Sequence, residues 1–263
     1  MKKIILFDMD GTLTPARGQM TPRVSYYLGK LQDEGYDIGI VSGSDLDYIK
    51  QQCSVLFDIS CTDWTKIKYF PCNGTKYYQV KNSKFVPVYS RDMKDVIGKE
   101  KYNLLIREIV DKHSNLFWLA EGEKIPMSGT FIKYRGSMVN WCPIGRDASQ
   151  EDREIWVELD TKNNWRKQLL ESFKGSSETW KGITFKLGGD TSFDIYPHGW
   201  DKTMAYNQVK SEGYEEIHFI GDRCEPDGND YEIYQAAGDK GYKTKNPDET
   251  VQILKKILGY ENE

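Results

Sequence analysis

Histidine, paired cysteine and long apolar runs are what this 263-residue chain has least of. Its three histidines (His113, His198, His218) stand in unrelated contexts. Its five cysteines (Cys53, Cys61, Cys72, Cys142, Cys224) are odd in number, dispersed and never spaced C-x-x-C. Zinc ligation and a disulfide framework are thereby excluded as organising chemistry, and reduced, partly buried thiols in a cytoplasmic setting are the expectation. The apolar run 4–7 behind Lys2-Lys3 is too short for a signal core or a membrane span, and nothing elsewhere approaches 18 uninterrupted apolar residues, so no membrane association is expected. Charge of one sign is also missing. With 36 basic against 40 acidic residues (net −4), nothing argues for nucleic acid or an anionic surface as partner.

Against these absences, one segment stands out. Asp8-Met9-Asp10-Gly11-Thr12-Leu13-Thr14 directly follows an apolar run that reads as a buried parallel strand. Alternation along extended chain sends Asp8 and Asp10 the same way. Two like charges at the open end of a sheet repel unless a cation sits there, so the segment predicts a Mg2+ site in which one carboxylate also attacks phosphorus. A bare Asp-Gly surface turn would leave the strand before it unexplained. The pattern D-x-D-G-T-[LV]-T resembles the first motif of the haloacid dehalogenase superfamily of phosphotransferases. That resemblance implies Asp8 as nucleophile, forming an aspartyl-phosphate, and Asp10 as general acid and base. The chemistry fits: a metal-neutralised carboxylate can accept phosphoryl, and a second carboxyl can protonate the departing oxygen.

A hydrophobic content of 38% supports real cores, and the length allows one large domain or two medium ones. Thr21-Pro22 starts a helix with Val24, Tyr27, Leu28 and Leu31 on one face, stopped at Gly35. A strand over 36–41 follows, then a helix capped by Ser44. This rhythm predicts an α/β fold: a doubly wound, Rossmann-like parallel sheet whose active site lies at the carboxyl ends of the strands. From about Asn82 the pattern changes. A helix over 103–113, a long helix over 150–173, and antiparallel-type strands at 129–134, 138–142, 184–187 and 193–196 describe an α+β insertion. Near Trp200 the first rhythm resumes, with a helix over 203–212 and a strand over 216–220. The expected organisation is a core of 1–83 and 198–263 and an inserted cap domain, 84–197.

Further candidates fall at predicted strand ends. Ser42 or Ser44 can donate to phosphoryl oxygens. Lys202 supplies a point charge beside Asp8, and Asp222 can join the metal. The loop beyond it holds Asp227, Gly228, Asn229 and Asp230, with Asp230 placed to fix a lysine or a metal-bound water. In the insertion, Arg135, Arg146 and Arg153 crowd one region, and Arg17 adds a fourth guanidinium from the core loop. Arginine suits bidentate phosphate binding, so these residues point to a phosphate held away from the metal. Ser192 and Asp194, two apart on one strand, can hydrogen-bond sugar hydroxyls.

The motifs 7–17, Gly43-Ser44-Asp45, Asn73-Gly74-Thr75, Gly129-Thr130-Phe131-Ile132, Asn140, Pro143-Ile144-Gly145-Arg146, Glu151-Asp152-Arg153, Ser192-Phe193-Asp194, Gly199-Trp200-Asp201-Lys202 and Gly228-Asn229-Asp230 are together similar to those of the eukaryotic-type phosphomannomutases. The resemblance spans nearly the whole chain and includes cap motifs that a shared phosphatase core does not require. It implies interconversion of mannose 6-phosphate and mannose 1-phosphate for GDP-mannose synthesis, with hexose phosphates as substrates and a hexose 1,6-bisphosphate as activator. It further implies Asp8, Asp10 and Lys202 as catalytic residues, and Mg2+ on Asp8, Asp222 and the main-chain carbonyl of Asp10. Arg17, Arg135, Arg146, Arg153, Ser192 and Asp194 would bind the hexose phosphate, and the protein would be a homodimer through the cap. The chain departs from the family at Ser42 where glycine is usual, at Ser128 where arginine is usual, and at Ala236 with a shifted Asp239 in place of the Asp and Thr of an additional metal loop. The competing expectation is a Mg2+-dependent sugar-phosphate phosphatase on the same scaffold.

Overall fold

The computed structural model describes all residues except 59–60, 121, 176–177, 227 and 261–263. It divides into two compact units, Met1–Ser90 with Trp200–Glu263, and Arg91–Gly199.

The first unit opens with β1 (Lys3–Phe7), α1 (Pro22–Asp33), β2 (Tyr36–Val41), α2 (Leu46–Gln52), β3 (Lys68–Phe70), β4 (Lys76–Lys81) and β5 (Lys84–Ser90). The second holds α3 (Met93–Ile97), α4 (Lys99–Leu119), β6 (Ile132–Tyr134), β7 (Val139–Trp141), α5 (Gln150–Asn163), α6 (Trp165–Lys174), β8 (Ile183–Gly188) and β9 (Ser192–Pro197). The chain then completes the first with α7 (Thr203–Ser211), β10 (Glu216–Gly221), α8 (Tyr231–Ala237), β11 (Gly241–Lys243) and α9 (Pro247–Leu258).

In the first unit seven strands run β11-β10-β1-β2-β3-β4-β5, parallel as far as β3 and antiparallel beyond it. The run Ile4-Ile5-Leu6-Phe7 is apolar throughout because both faces of β1 are covered. Ile5 and Phe7 join a cluster with Val24, Leu28 and Leu31 of α1 and Val251 and Leu254 of α9. Ile4 and Leu6 join Ala205 and Val209 of α7 and Ile233 of α8. The doubly wound sheet expected from the sequence is therefore present. Thr21 caps α1 as anticipated, accepting from Val24 N at 3.4 Å. The cap of α2 is Asp45 rather than Ser44, its carboxylate accepting from Tyr48 N at 3.0 Å.

Residues 84–90, expected to open the insertion, belong to this sheet. Asn82 and Ser83 adopt left-handed backbone (φ 50° and 56°) and make a two-residue hairpin turn. That turn returns the chain alongside β4 instead of releasing it. At the other junction, His198 N donates to Gly182 O at 2.9 Å, so 198 and 199 stay with the second unit.

The second unit carries a four-stranded antiparallel sheet, β6-β7-β9-β8. Trp141 of β7 stacks on Phe193 of β9 at 4.6 Å and meets Phe173 of α6 edge-on. Residues 150–173, expected as one helix, form two, because Asn164 takes left-handed backbone (φ 55°, ψ 34°) between them.

Candidate active site

β1 and β10 pair in register, Phe7 beside Ile220, and each is followed directly by an acid, Asp8 after Phe7 and Asp222 after Gly221. Asp8 N donates to Ile220 O at 2.9 Å, which holds the two strand ends together. Carboxylate oxygens of Asp8, Asp222 and Asp230 lie within 4.8 Å of one another. Gly11 makes this approach possible: its φ is 83°, and a Cβ there would overlap the Asp222 carboxylate.

Lys202 is buried among them. Its ammonium donates to Asp8 Oδ1 and, at 2.6 Å, to Asp230 Oδ1. Burial works against its charge, but attraction to Asp230 and Asp8 wins and holds it above the usual lysine range. Asp230 is fully buried, and its second oxygen accepts from Arg223 N at 3.1 Å. Burial pushes the Asp8 carboxyl well up. Repulsion from Asp230 and, more weakly, Asp222 adds to this, and Lys202 opposes it. Burial, then Asp230, lifts Asp222 to about 6.

One lysine against three converging carboxylates leaves negative charge unbalanced, as a divalent-cation site requires. The converging side chains are Asp8, Asp222 and Asp230; Asp8 and Asp222 are the two carboxylates expected to hold the metal, and Asp10 was expected there only through its main-chain carbonyl. Asp230 spends one oxygen on Lys202 and the other on Arg223 N, whereas Lys202 takes only Oδ1 of Asp8, so Asp8 and Asp222 are the side chains placed to take a cation. The Asp10 carboxylate is not one of that trio: its Oδ1 accepts from Arg17 N at 3.0 Å and from Tyr48 Oη at 3.1 Å. Among the described residues no other trio of His, Cys, Asp or Glu comes together, the neighbourhood of Ala236 and Asp239 included. Asp227 lies outside the described residues. Ser42 is buried, and its hydroxyl accepts from Ser44 N at 3.1 Å, shaping the loop after β2.

In the second unit, β7 and β9 set Asn140 opposite Asp194, with Ser192 two residues away on the same face. Asn140 Nδ2 donates to Asp194 Oδ1 at 2.8 Å and to Ser192 Oγ at 3.1 Å, while its carbonyl accepts from Arg146 NH1 at 2.8 Å. One buried amide thus ties a guanidinium to a carboxylate and a hydroxyl. Gly188 of β8 leaves room for Asp194, since a Cβ there would come within 2.9 Å of its Cγ.

Arg153 is buried, with its guanidinium turned onto the chain itself. It donates to Ala148 O at 3.1 Å, Arg146 O at 2.7 Å and Thr191 Oγ1 at 3.0 Å, bracing the loop that presents Arg146. Arg135 is half-buried, its NH1 3.9 Å from Met138 Sδ, and Arg17 is exposed in the first unit. The sequence reading did not single out the side-chain roles of Tyr48 and Asn140. Asn140 stood in a matched motif, but nothing in the sequence around Tyr48 marked its contact with Asp10.

Residues 24–260 match the eukaryotic phosphomannomutase family. The phosphomannomutase of Saccharomyces cerevisiae is 37% identical over 259 residues, covering 97% of this chain and 94% of that protein. Phosphomannomutase 1 of Mus musculus is 34% identical over 256 residues, with 97% and 92% covered. A haloacid dehalogenase-like hydrolase from Bacteroides thetaiotaomicron, 15% identical, matches with a TM-score of 0.55 over 97% of this chain and 92% of that one, a likeness of fold. The chain belongs to the eukaryotic phosphomannomutase family.

Proposed function

We infer that this chain is a phosphomannomutase, interconverting mannose 6-phosphate and mannose 1-phosphate through an aspartyl-phosphate and a hexose 1,6-bisphosphate, in the supply of GDP-mannose. The observation that carries the reading is a buried Asp8 at the end of a parallel strand, bound by Lys202 and facing Asp222.

Asp8, Asp222 and the main-chain carbonyl of Asp10 would hold Mg2+, whose charge offsets repulsion between Asp8 and an incoming phosphoryl group. An Asp8 oxygen forms a bond to phosphorus as the sugar–oxygen bond to phosphorus breaks, and Asp10 gives its proton to the departing sugar oxygen. In the return step a sugar hydroxyl attacks phospho-Asp8. Asp10 takes the hydroxyl proton, and Asp8 leaves as a carboxylate. Lys202 stays charged throughout, because both its partners are acids in a buried setting. For isomerisation the bisphosphate must reorient, so that the phosphoryl returns from the other end of the sugar.

The inserted unit is read as a substrate-binding cap. Within this unit Arg146 and Arg135 bind the hexose phosphate, with Arg153 bracing Arg146, and Ser192 and Asp194 take the hydroxyls; in the first unit Arg17 is a further hexose-phosphate ligand. The cap's further task is to keep water from phospho-Asp8, since hydrolysis competes with transfer. Exposed Leu104 and Val110 on α4 and Ile155 and Val157 on α5 support a homodimer through this unit. The five free thiols suit a cytoplasmic setting.

The test is a coupled assay offering mannose 1-phosphate and glucose 1-phosphate with Mg2+, with and without the bisphosphate. Bisphosphate-dependent formation of the 6-phosphate is expected. Release of inorganic phosphate without any 6-phosphate would overturn the reading in favour of a sugar-phosphate phosphatase.

A further inference from the structure

We propose that Tyr48 is a positioning residue for the acid/base carboxyl of Asp10, an inference that rests on the role given to Asp10 above. Tyr48 Oη and the main-chain N–H of Arg17 both donate to the same oxygen, Asp10 Oδ1, at 3.1 and 3.0 Å. Among the described residues, Asp10 Oδ2 accepts no hydrogen bond, and the residue is half-buried rather than sealed. One carboxylate oxygen is thus anchored and the other is left to exchange a proton. A carboxylate free to rotate about its last bond would present either oxygen, and a proton donor must be held within hydrogen-bond reach of the reacting atom.

Both donors are themselves fixed. The Tyr48 backbone N–H is spent on the Asp45 cap of α2, and its ring packs against the cluster beneath the sheet. Arg17 holds a left-handed backbone (φ 59°) that a non-glycine residue rarely adopts, and that conformation accompanies its N–H bond to Asp10. Two segments distant in sequence, the start of α2 and the loop after Thr14, therefore converge on one oxygen.

The alternative role for Tyr48 is packing alone, and the two are separable by leaving group. A sugar hydroxyl is a poor leaving group and needs the Asp10 proton, whereas p-nitrophenolate departs without one. Tyr48→Phe keeps the ring and removes the hydroxyl. The expected result is a fall of about tenfold or more in kcat for hexose phosphate turnover, with KM within about threefold of wild type. The first-turnover burst of p-nitrophenolate from p-nitrophenyl phosphate should stay within about twofold, since that step draws on Asp8 and not on Asp10.

Unchanged kcat, an equal fall in both reactions, or a variant that does not fold would each overturn the proposal. The last two would assign the side chain to packing. Hexose phosphate turnover is counted as isomerisation plus phosphate release, both of which use Asp10. A protein that proves to be a phosphatase thus still tests Tyr48, and the mutase reading fails separately, on the product ratio.

Discussion

At the scale of single residues, the centre is a charge balance that Lys202 alone cannot close. Its ammonium binds Asp8 and Asp230, both buried, and Asp222 completes the trio. Removing one partner of a buried ion network leaves the others uncompensated, which costs about 3–5 kcal/mol. Lys202→Met is therefore expected to lower unfolding stability at neutral pH by about that amount, read by urea denaturation. A loss below about 1 kcal/mol would show that water reaches the acids and screens them. The same imbalance makes the cation a source of stability. A ligand that binds only the folded state raises its unfolding midpoint by mass action. Added Mg2+ should raise the midpoint of the wild type and leave that of Asp222→Asn unmoved. An equal rise in the variant would place the cation away from Asp222.

At the scale of elements, legibility followed the strength of the local signal. Strand β1 and its acids were readable because an unbroken apolar run has one explanation when it ends in charge. The α2 cap was misplaced by one residue: Ser44 and Asp45 are both good caps, and only the folded chain shows which aims at Tyr48 N. The Asn82-Ser83 turn read as a boundary, because local sequence says that a chain turns but not which strand it rejoins. The break at Asn164 was masked by helix-forming residues on both sides. Asparagine tolerates left-handed backbone, whereas alanine there carries a steric cost of about 1–2 kcal/mol. Asn164→Ala should destabilise the protein by about 1 kcal/mol and Asn164→Gly by less, by chemical denaturation. Equal losses would point to a role for the asparagine side chain instead.

At the scale of the whole molecule, the proposed function divides labour between the two units, one for phosphoryl transfer through Asp8 and one for holding the sugar. The first unit holds Asp8, Asp10, Lys202 and Asp222 in one body made from both chain ends, so on the proposed mechanism phosphoryl capture from a small donor is expected to draw on that unit. The second holds the Arg146–Asn140–Asp194 relay, which has no part in forming a bond to phosphorus but is read as retaining the sugar between two transfers. Arg146→Ala removes a charge-assisted contact worth about 1.5–3 kcal/mol, or roughly 10- to 150-fold in kcat/KM for hexose phosphate isomerisation. The p-nitrophenolate burst, which asks nothing of that relay, should change little. A sugar bisphosphate held less firmly escapes before reorienting and exposes phospho-Asp8 to water. Inorganic phosphate released per isomerisation should therefore rise in the same variant. Parallel measurement of 6-phosphate and inorganic phosphate from one reaction reads both effects. A proportional fall in all three quantities would mean that Arg146 supports the protein's folding rather than its partition between transfer and hydrolysis.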